Sequence, residues 1–175
     1  RLARMIDSLL FLARAENAET VLHNASFSSL EEIEHVMDFY EAVAAEKKIE
    51  LVAEGGGNME GDVVLFQRAI SNVLANAIRH TPSGGKITVS IQPHQEGEIQ
   101  IRIADTGCGL AVEHFPKVFD RFYRADGSRN AEQGTGLGLA IVKSIVELHR
   151  GKVSLQSEVG KGTTVILDFP TQRAN

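Results

Sequence analysis

Two strictly alternating stretches constrain this chain more than anything else in it. Ile87, Val89 and Ile91 alternate with Lys86, Thr88 and Ser90, while Ile99, Ile101 and Ile103 alternate with Gln100 and Arg102. A period of two sends successive side chains to opposite faces, so each stretch predicts a strand with one face buried and the other wet. The polar connection 92–98 predicts a hairpin between them. Residues 152–156 and 163–169 read as two further strands around the turn Gly160-Lys161-Gly162, and 49–53 as a short strand ended by Gly55-Gly56-Gly57.

Helical spacing fills the intervals. Ser29 with Glu32 three residues on predicts a capped helix whose apolar positions Ile33, Val36, Met37, Tyr40 and Val43 carry it toward Lys47. Asp62 predicts the cap of a second helix, running to about His80 and stopped by Pro82-Ser83-Gly84-Gly85. A third is expected over 136–149, closed by Gly151. Helices in one group and antiparallel strands in another predict an α+β chain: a two-layer α/β sandwich with helices packed on one face of a mixed, largely antiparallel sheet.

Near the start, Leu2, Met5, Ile6, Leu9, Leu10, Leu12 and Ala13 recur at helical spacing as far as Glu16-Asn17. So narrow a stripe needs a partner helix, either on its own domain or in a dimerising coiled hairpin. The expected division is a helix end over 1–16, a polar linker over 17–25, a domain over 26–170 and a tail over 171–175. The 175 residues, 43% of them hydrophobic, suit one compact domain that could bury about 70% of its unfolded surface. The apolar run 8–13 is far short of the roughly 20 residues that cross a bilayer, and no leader pattern opens the chain. Starting at Arg1 in mid-pattern, it reads as a fragment. The lone Cys108 gives no sign of an oxidising compartment, which leaves a cytosolic domain as the default, and a net charge of −5 speaks against nucleic acid as a partner.

Three stretches carry candidate chemistry. Asp105-Thr106-Gly107-Cys108-Gly109 follows a predicted strand; its glycines permit a sharp turn and a flat ligand, and the carboxylate can accept from an exocyclic amine. Such a turn can equally be purely structural. Gly134-Thr135-Gly136-Leu137-Gly138-Leu139 precedes a helix and would offer backbone N–H groups and a helix N-terminus to phosphates, though it matches neither the dinucleotide fingerprint nor the P-loop. Asn72, Asn76 and Arg79 share one face of the second helix. Amide oxygens suit Mg²⁺ and a guanidinium suits phosphate, although a solvated polar face would look the same.

In this order the stretches resemble the bacterial sensor histidine kinases of the Bergerat (GHKL) ATPase superfamily. Asn72-Val73-Leu74-Ala75-Asn76-Ala77-Ile78-Arg79-His80 resembles the asparagine box, and Asp105-Thr106-Gly107-Cys108-Gly109-Leu110 the first glycine box. Phe119-Asp120-Arg121-Phe122-Tyr123-Arg124 resembles the phenylalanine box, 134–139 the second glycine box, and Gly160-Lys161-Gly162-Thr163 the closing turn. The wording of the phenylalanine box and helix ends is also similar to kinases paired with winged-helix response regulators, the heavy-metal sensors among them.

The resemblance implies the Bergerat ATP-binding fold and ATP with Mg²⁺ as ligands. Asn76 would ligate Mg²⁺ with Asn72 beside it, and Arg79 would reach the phosphates. Asp105 would accept from the adenine amine, with Gly107 and Gly109 keeping that wall close and Thr163 supporting the base pocket. Gly134, Gly136 and Gly138 would hold the phosphates, in a loop that includes Thr135, Leu137 and Leu139. Residues 126–133 would form a lid anchored by Phe119 and Phe122, with Arg121 and Arg124 at its base.

The stretch 4–16 resembles the end of the second helix of the family's dimerisation hairpin. That implies a homodimeric parent in the bacterial inner membrane, acting on its own hairpin domain and, through it, on a response regulator. The family's acceptor histidine is followed by an acidic residue and then a proline. His23, His35, His80, His94, His114 and His149 all lack that context, so the acceptor is expected outside this chain. Hydrolytic relatives, like the anti-sigma-factor serine kinases, carry a glutamate where Asn72 stands, one turn before the metal asparagine. A hydrolytic ATPase and a purely regulatory nucleotide-binding module are the competing readings.

Overall fold

The computed structural model describes residues 2–15, 20–94, 97–125 and 135–171, without the side chain of Arg4. In chain order its elements are α1 (Leu2–Ala15), β1 (Asn24–Ser28), α2 (Ser29–Asp38), α3 (Glu41–Glu46), β2 (Glu50–Gly55), β3 (Asn58–Asp62), α4 (Val63–His80), β4 (Lys86–Pro93), β5 (Glu98–Asp105), a 3-10 turn (Val112–Lys117), α5 (Gly138–Leu148), β6 (Lys152–Glu158) and β7 (Gly162–Pro170). Five strands make one sheet in the order β2-β4-β5-β7-β6, with β2 parallel to β4 and the other pairs antiparallel. The expected sandwich is what forms. Ile87, Val89, Ile91, Ile99, Ile101 and Ile103 are all buried, on the face covered by α4 and α5. Phe66 of α4 is fully buried between Phe27 and Phe169, with ring centroids 5.1 and 5.6 Å away. Tilted and edge-on rings at such spacing add to the burial itself.

The termini of α4 follow from its sequence. Asp62 caps it by accepting from the Leu65 amide at 3.1 Å, and its last carbonyls are met by Lys47, whose Nζ lies 2.7 Å from the Ile78 oxygen. A cation there also offsets the negative end of the helix dipole.

Three expectations change. The cap of α2 is Ser28, which accepts from Glu31 at 3.4 Å, because the Ser29 hydroxyl is drawn to the Gly57 carbonyl instead. The helix expected to run to Lys47 breaks into α2 and α3 at Phe39 and Tyr40, where the Tyr40 hydroxyl is tied to the Ser71 side chain at 2.8 Å. Two strands were not expected: β1 and β3 pair antiparallel as a separate ribbon, and β1 begins at Asn24, inside the stretch read as linker.

The first helix lies on the domain. Leu12 is fully buried with Ala69, Leu137, Ala140, Ile141 and Ile145, while Leu2, Ile6 and Leu10 stay exposed. Arg68 of α4 sits 4.4 Å over the Phe11 ring; burial lowers its pKa, and Asp7 works against that shift. Among the described residues no helix is long and apolar enough to cross a membrane.

Candidate functional site

A cavity of about 310 Å³ opens between α4, the start of α5 and the ends of β5 and β7. Its size falls within the usual range for small-molecule sites, about 300–1,000 Å³. Asn72, Asn76, Arg79, Asp105, Gly109, Thr135, Gly136, Leu137, Gly138, Leu139 and Thr163 all line it, as do Tyr123 and Arg124 and, from α1, Ser8. Residues that lie far apart in the sequence, from Ser8 to Thr163, therefore meet at one place. Gly134 and the expected lid over 126–133 lie outside the described residues.

Asp105 stands at the end of β5, beside β7. Its Oδ1 accepts the Gly107 amide at 2.8 Å and the Thr163 amide at 3.3 Å. Both bonds fall on the same oxygen, which leaves Oδ2 for a ligand. Burial pushes the carboxyl above the ordinary aspartate range; those amides and the nearby His80 pull it part of the way back.

The glycines of this box face protein more than ligand. A Cβ on Gly107 would lie 2.6 Å from Asp105 Oδ1 and 2.7 Å from the His80 carbonyl, and Gly107 is not on the cavity wall. Gly109, with φ +69°, lets the box press on the Glu158 carbonyl. Cys108 is exposed at the rim.

Ser157, which sequence reasoning missed, braces this end. Its hydroxyl accepts the Leu110 amide at 2.8 Å, donates to the Gly162 carbonyl at 2.9 Å and meets Thr163 Oγ1 at 2.8 Å. The signal was present. Val153 and Leu155 mark the inward positions of β6, and Ser157 is the next one, a polar residue where the alternation calls for an apolar one.

At the opposite end, α5 starts at Gly138 after Leu137, and among the described residues no side chain caps it. First-turn N–H groups without a side-chain acceptor, together with the helix dipole, form a site for an anion. A Cβ on Gly138 would lie 3.3 Å from Asn72 Oδ1 and 3.7 Å from Asn76 Nδ2, so the α5 N-terminus faces both amides. Asn72 donates its Nδ2 to the Arg68 carbonyl at 2.7 Å, which turns its oxygen toward α5. Asn76 Oδ1 accepts from Arg79 Nη1 at 3.1 Å. Leu137 is buried in the α1 and α5 core, and Leu139 packs, partly buried, on the main one.

The amide oxygens also bear on a metal. Among the described residues no group of three or more His, Cys, Asp or Glu could hold one. The two amide oxygens fit Mg²⁺, which keeps its waters and takes phosphate oxygens alongside one or two protein ligands. A metal ligated by Asn76 would displace the Arg79 bond and release the guanidinium.

The expected anchors of the lid act differently from each other. Phe119 is half-buried, whereas the Phe122 side chain is exposed. What Phe122 contributes is backbone: at φ +62° its amide donates to the Gly136 carbonyl at 2.9 Å. Gly136, at φ +71°, lets the two segments cross, since a Cβ there would lie 2.8 Å from the Phe122 carbonyl carbon. Tyr123 is held from behind by His114, whose Nδ1 is 2.6 Å from the phenolic oxygen.

A family model described as histidine kinase-, DNA gyrase B-, and HSP90-like ATPase matches residues 61–173. The chain is 39% identical to the sensor protein IrlS of Burkholderia pseudomallei over 99% of its own length and 38% of the relative's. To the sensor histidine kinase CusS of Escherichia coli K12 it is 40% identical, over 97% of this chain and 35% of that one. It thus spans little more than a third of the curated relatives it matches. The crystal structure of full-length ShkA in complex with AMPPNP superposes with a TM-score of 0.86 at 25% identity, covering 99% of this chain and 37% of that one. With the cavity, its carboxylate end and its amide and helix end in place, the chain belongs to the histidine kinase-, DNA gyrase B-, and HSP90-like ATPase family.

Proposed function

We propose that the cavity holds ATP with Mg²⁺, adenine at Asp105 and phosphates at the α5 N-terminus, and that the domain passes the γ-phosphoryl group to a histidine on a separate hairpin domain of its parent. The observation that carries this reading is the uncapped start of α5 facing Asn72 and Asn76, with the free Oδ2 of Asp105 at the other end of the same cavity.

In the transfer, an N–P bond forms to the acceptor imidazole as the bond from Pγ to the β,γ-bridging oxygen breaks, and ADP leaves. The chain's own part is positioning and charge neutralisation. Asp105 orients the base, the α5 amides and Arg79 face the phosphates, and the amide oxygens of Asn76 and Asn72 would hold a metal, which would supply neutralisation of developing charge. Asn72 also supports transfer over hydrolysis. An amide cannot take a proton from water, and the hydrolytic relatives carry a glutamate at this place.

In the parent, α1 would be the end of the hairpin's second helix: its Leu12 side rests on this domain, and the Leu2, Ile6 and Leu10 side is open to a second helix. Dimerisation, an inner-membrane location and delivery of the phosphoryl group to a response regulator belong to the same proposal.

Adenine recognition is tested by Asp105→Asn. The Gly107 and Thr163 amides both donate to Oδ1, so the new side chain must put its oxygen there and its NH₂ where Oδ2 was. Two donors would then face each other across the adenine amine. Affinity for ATP should fall by about 1–3 kcal/mol, while inosine triphosphate, with an acceptor in place of the amine, should lose less or gain. Equal losses by calorimetry would make Asp105 a turn residue only. In the parent chain, acidification should mimic the substitution. Because burial raises the Asp105 pKa, ATP selectivity is full when the group is ionised and falls as pH drops through a value above 3.8.

A further inference from the structure

His149, immediately after α5, is buried and both of its ring nitrogens are engaged. Nδ1 lies 2.8 Å from the Ile145 carbonyl, which can only accept, so Nδ1 carries the proton. Nε2 is then a bare lone pair, and it accepts the Asp62 amide at 3.0 Å. The ring stands edge-on to Phe169, 5.7 Å between centroids, and fits only because residue 61 is glycine: a Cβ there would lie 2.8 Å from His149 Cδ2 and 3.0 Å from Nε2.

Asp62 is itself a junction. Its amide goes to His149, its Oδ1 caps α4 at Leu65, and its Oδ2 accepts the His23 amide at 3.0 Å. His149 thus joins the C-terminal end of α5 to the first turn of α4. Where α5 begins, Gly138 faces Asn72 and Asn76 in the second half of α4. The helices are antiparallel, and at 1.5 Å per residue the arms from the junction to the nucleotide cavity are about 15 Å along α4 and about 16 Å along α5. Between the two ends the seam is apolar, built from Ala69, Val73, Ala140 and Ile141 among others. Apolar contact is non-directional, whereas a hydrogen bond has a narrow range of distance and angle.

We propose that His149 is a positioning residue for the nucleotide site: by accepting the Asp62 amide it fixes the axial register of α5 on α4, and so holds the α5 N-terminus opposite the Asn72 and Asn76 amides. The inference rests on the reading of that N-terminus as the phosphate site. It predicts a split between the two ends of the ligand. Asp105 and its partners stand on β5, β6 and β7, and an α5 displaced along its axis leaves them in place; the phosphate end moves.

The test compares Mg·ATP with adenosine, by calorimetry and NMR titration, on the whole chain. His149→Phe keeps the ring against Phe169 and removes the acceptor. It should weaken ATP about tenfold and leave adenosine within twofold. His149→Gln, whose side-chain oxygen reaches the place of Nε2, should restore ATP affinity to within about threefold of the parent. If the phenylalanine variant does not fold, Gly61→Ala reaches the same bond with the histidine kept, by pushing the ring off Asp62, and should give the same selective loss. Equal ATP affinity in a folded His149→Phe or Gly61→Ala protein would overturn the proposal, as would parallel loss of ATP and adenosine, or failure of the glutamine to restore binding. A parent chain that binds adenosine but not ATP would overturn the phosphate-site reading itself, and is told apart because it needs no variant.

Discussion

Asn76→Ala is expected to abolish the part of ATP affinity that depends on Mg²⁺, the largest change in binding that any single substitution in this chain should produce. Alanine offers no oxygen, and Asn72 alone leaves the ion with one amide. Metal-free binding should behave differently. In the parent, Asn76 Oδ1 occupies Arg79 Nη1 at 3.1 Å, so removing it frees the guanidinium for the phosphates. Affinity without metal should therefore hold or rise, while the gain on adding Mg²⁺, tenfold or more in the parent, should shrink to near unity. Calorimetry with and without the ion gives both numbers. The same gain in variant and parent would remove Asn76 from the metal site.

Gly162→Ala should have the largest effect on folding. Gly162 sits at φ +117°, and a Cβ there would run into the Asp105 carbonyl, with Thr106 Cα 3.1 Å away. The neighbour is backbone of the central strand and cannot turn aside. Strain at a conformation reserved for glycine adds to the overlap, for a cost of about 3 kcal/mol or more. A net stability of only about 5–15 kcal/mol makes that a large share. Gly160, in the same turn at φ +81°, has open space around it, so Gly160→Ala should cost only about 1–2 kcal/mol. Urea unfolding of the two variants separates the terms; equal losses would show that contact with Asp105 is not what residue 162 is chosen for.

The ends of the nucleotide cavity were legible in the sequence for a physical reason. A carboxylate at the end of a strand, amides at helical spacing and a glycine-rich run before a helix are all local patterns, and an alternating pair of strands fixes the sheet that carries them. The apolar face of α4 and the Asp62 cap were readable on the same terms. What escaped was written in tertiary contacts. Strands β1 and β3 each bury a single apolar side chain, Phe27 and Met59, too little to show alternation, and they pair with each other across the length of α2, α3 and β2. The break between α2 and α3 has no glycine or proline to announce it; a hydroxyl held by Ser71 marks the place. In the sequence His149 shows only that it lacks the context of a phosphoacceptor, and neither its partner at Asp62 nor the glycine that makes room for it is near in sequence. His114 behind Tyr123 is a similar case, since its meaning depends on a ring nine positions away.

The central claim, that this domain donates a phosphoryl group to a histidine elsewhere and does not spend ATP on water, is tested most directly by incubating the whole chain with γ-labelled Mg·ATP, with and without a hairpin fragment of its own parent that carries the acceptor histidine. Alone, the chain should neither label itself on histidine nor release phosphate above background, because no histidine here has the acidic follower and Asn72 cannot activate water. With the fragment, label should appear on the fragment in an acid-labile form. It should appear slowly, since the tether that raises effective concentration is missing. Sustained phosphate release by the chain alone would contradict the account in favour of hydrolysis, and ATP binding with no transfer to the authentic hairpin would contradict it in favour of a domain that only binds.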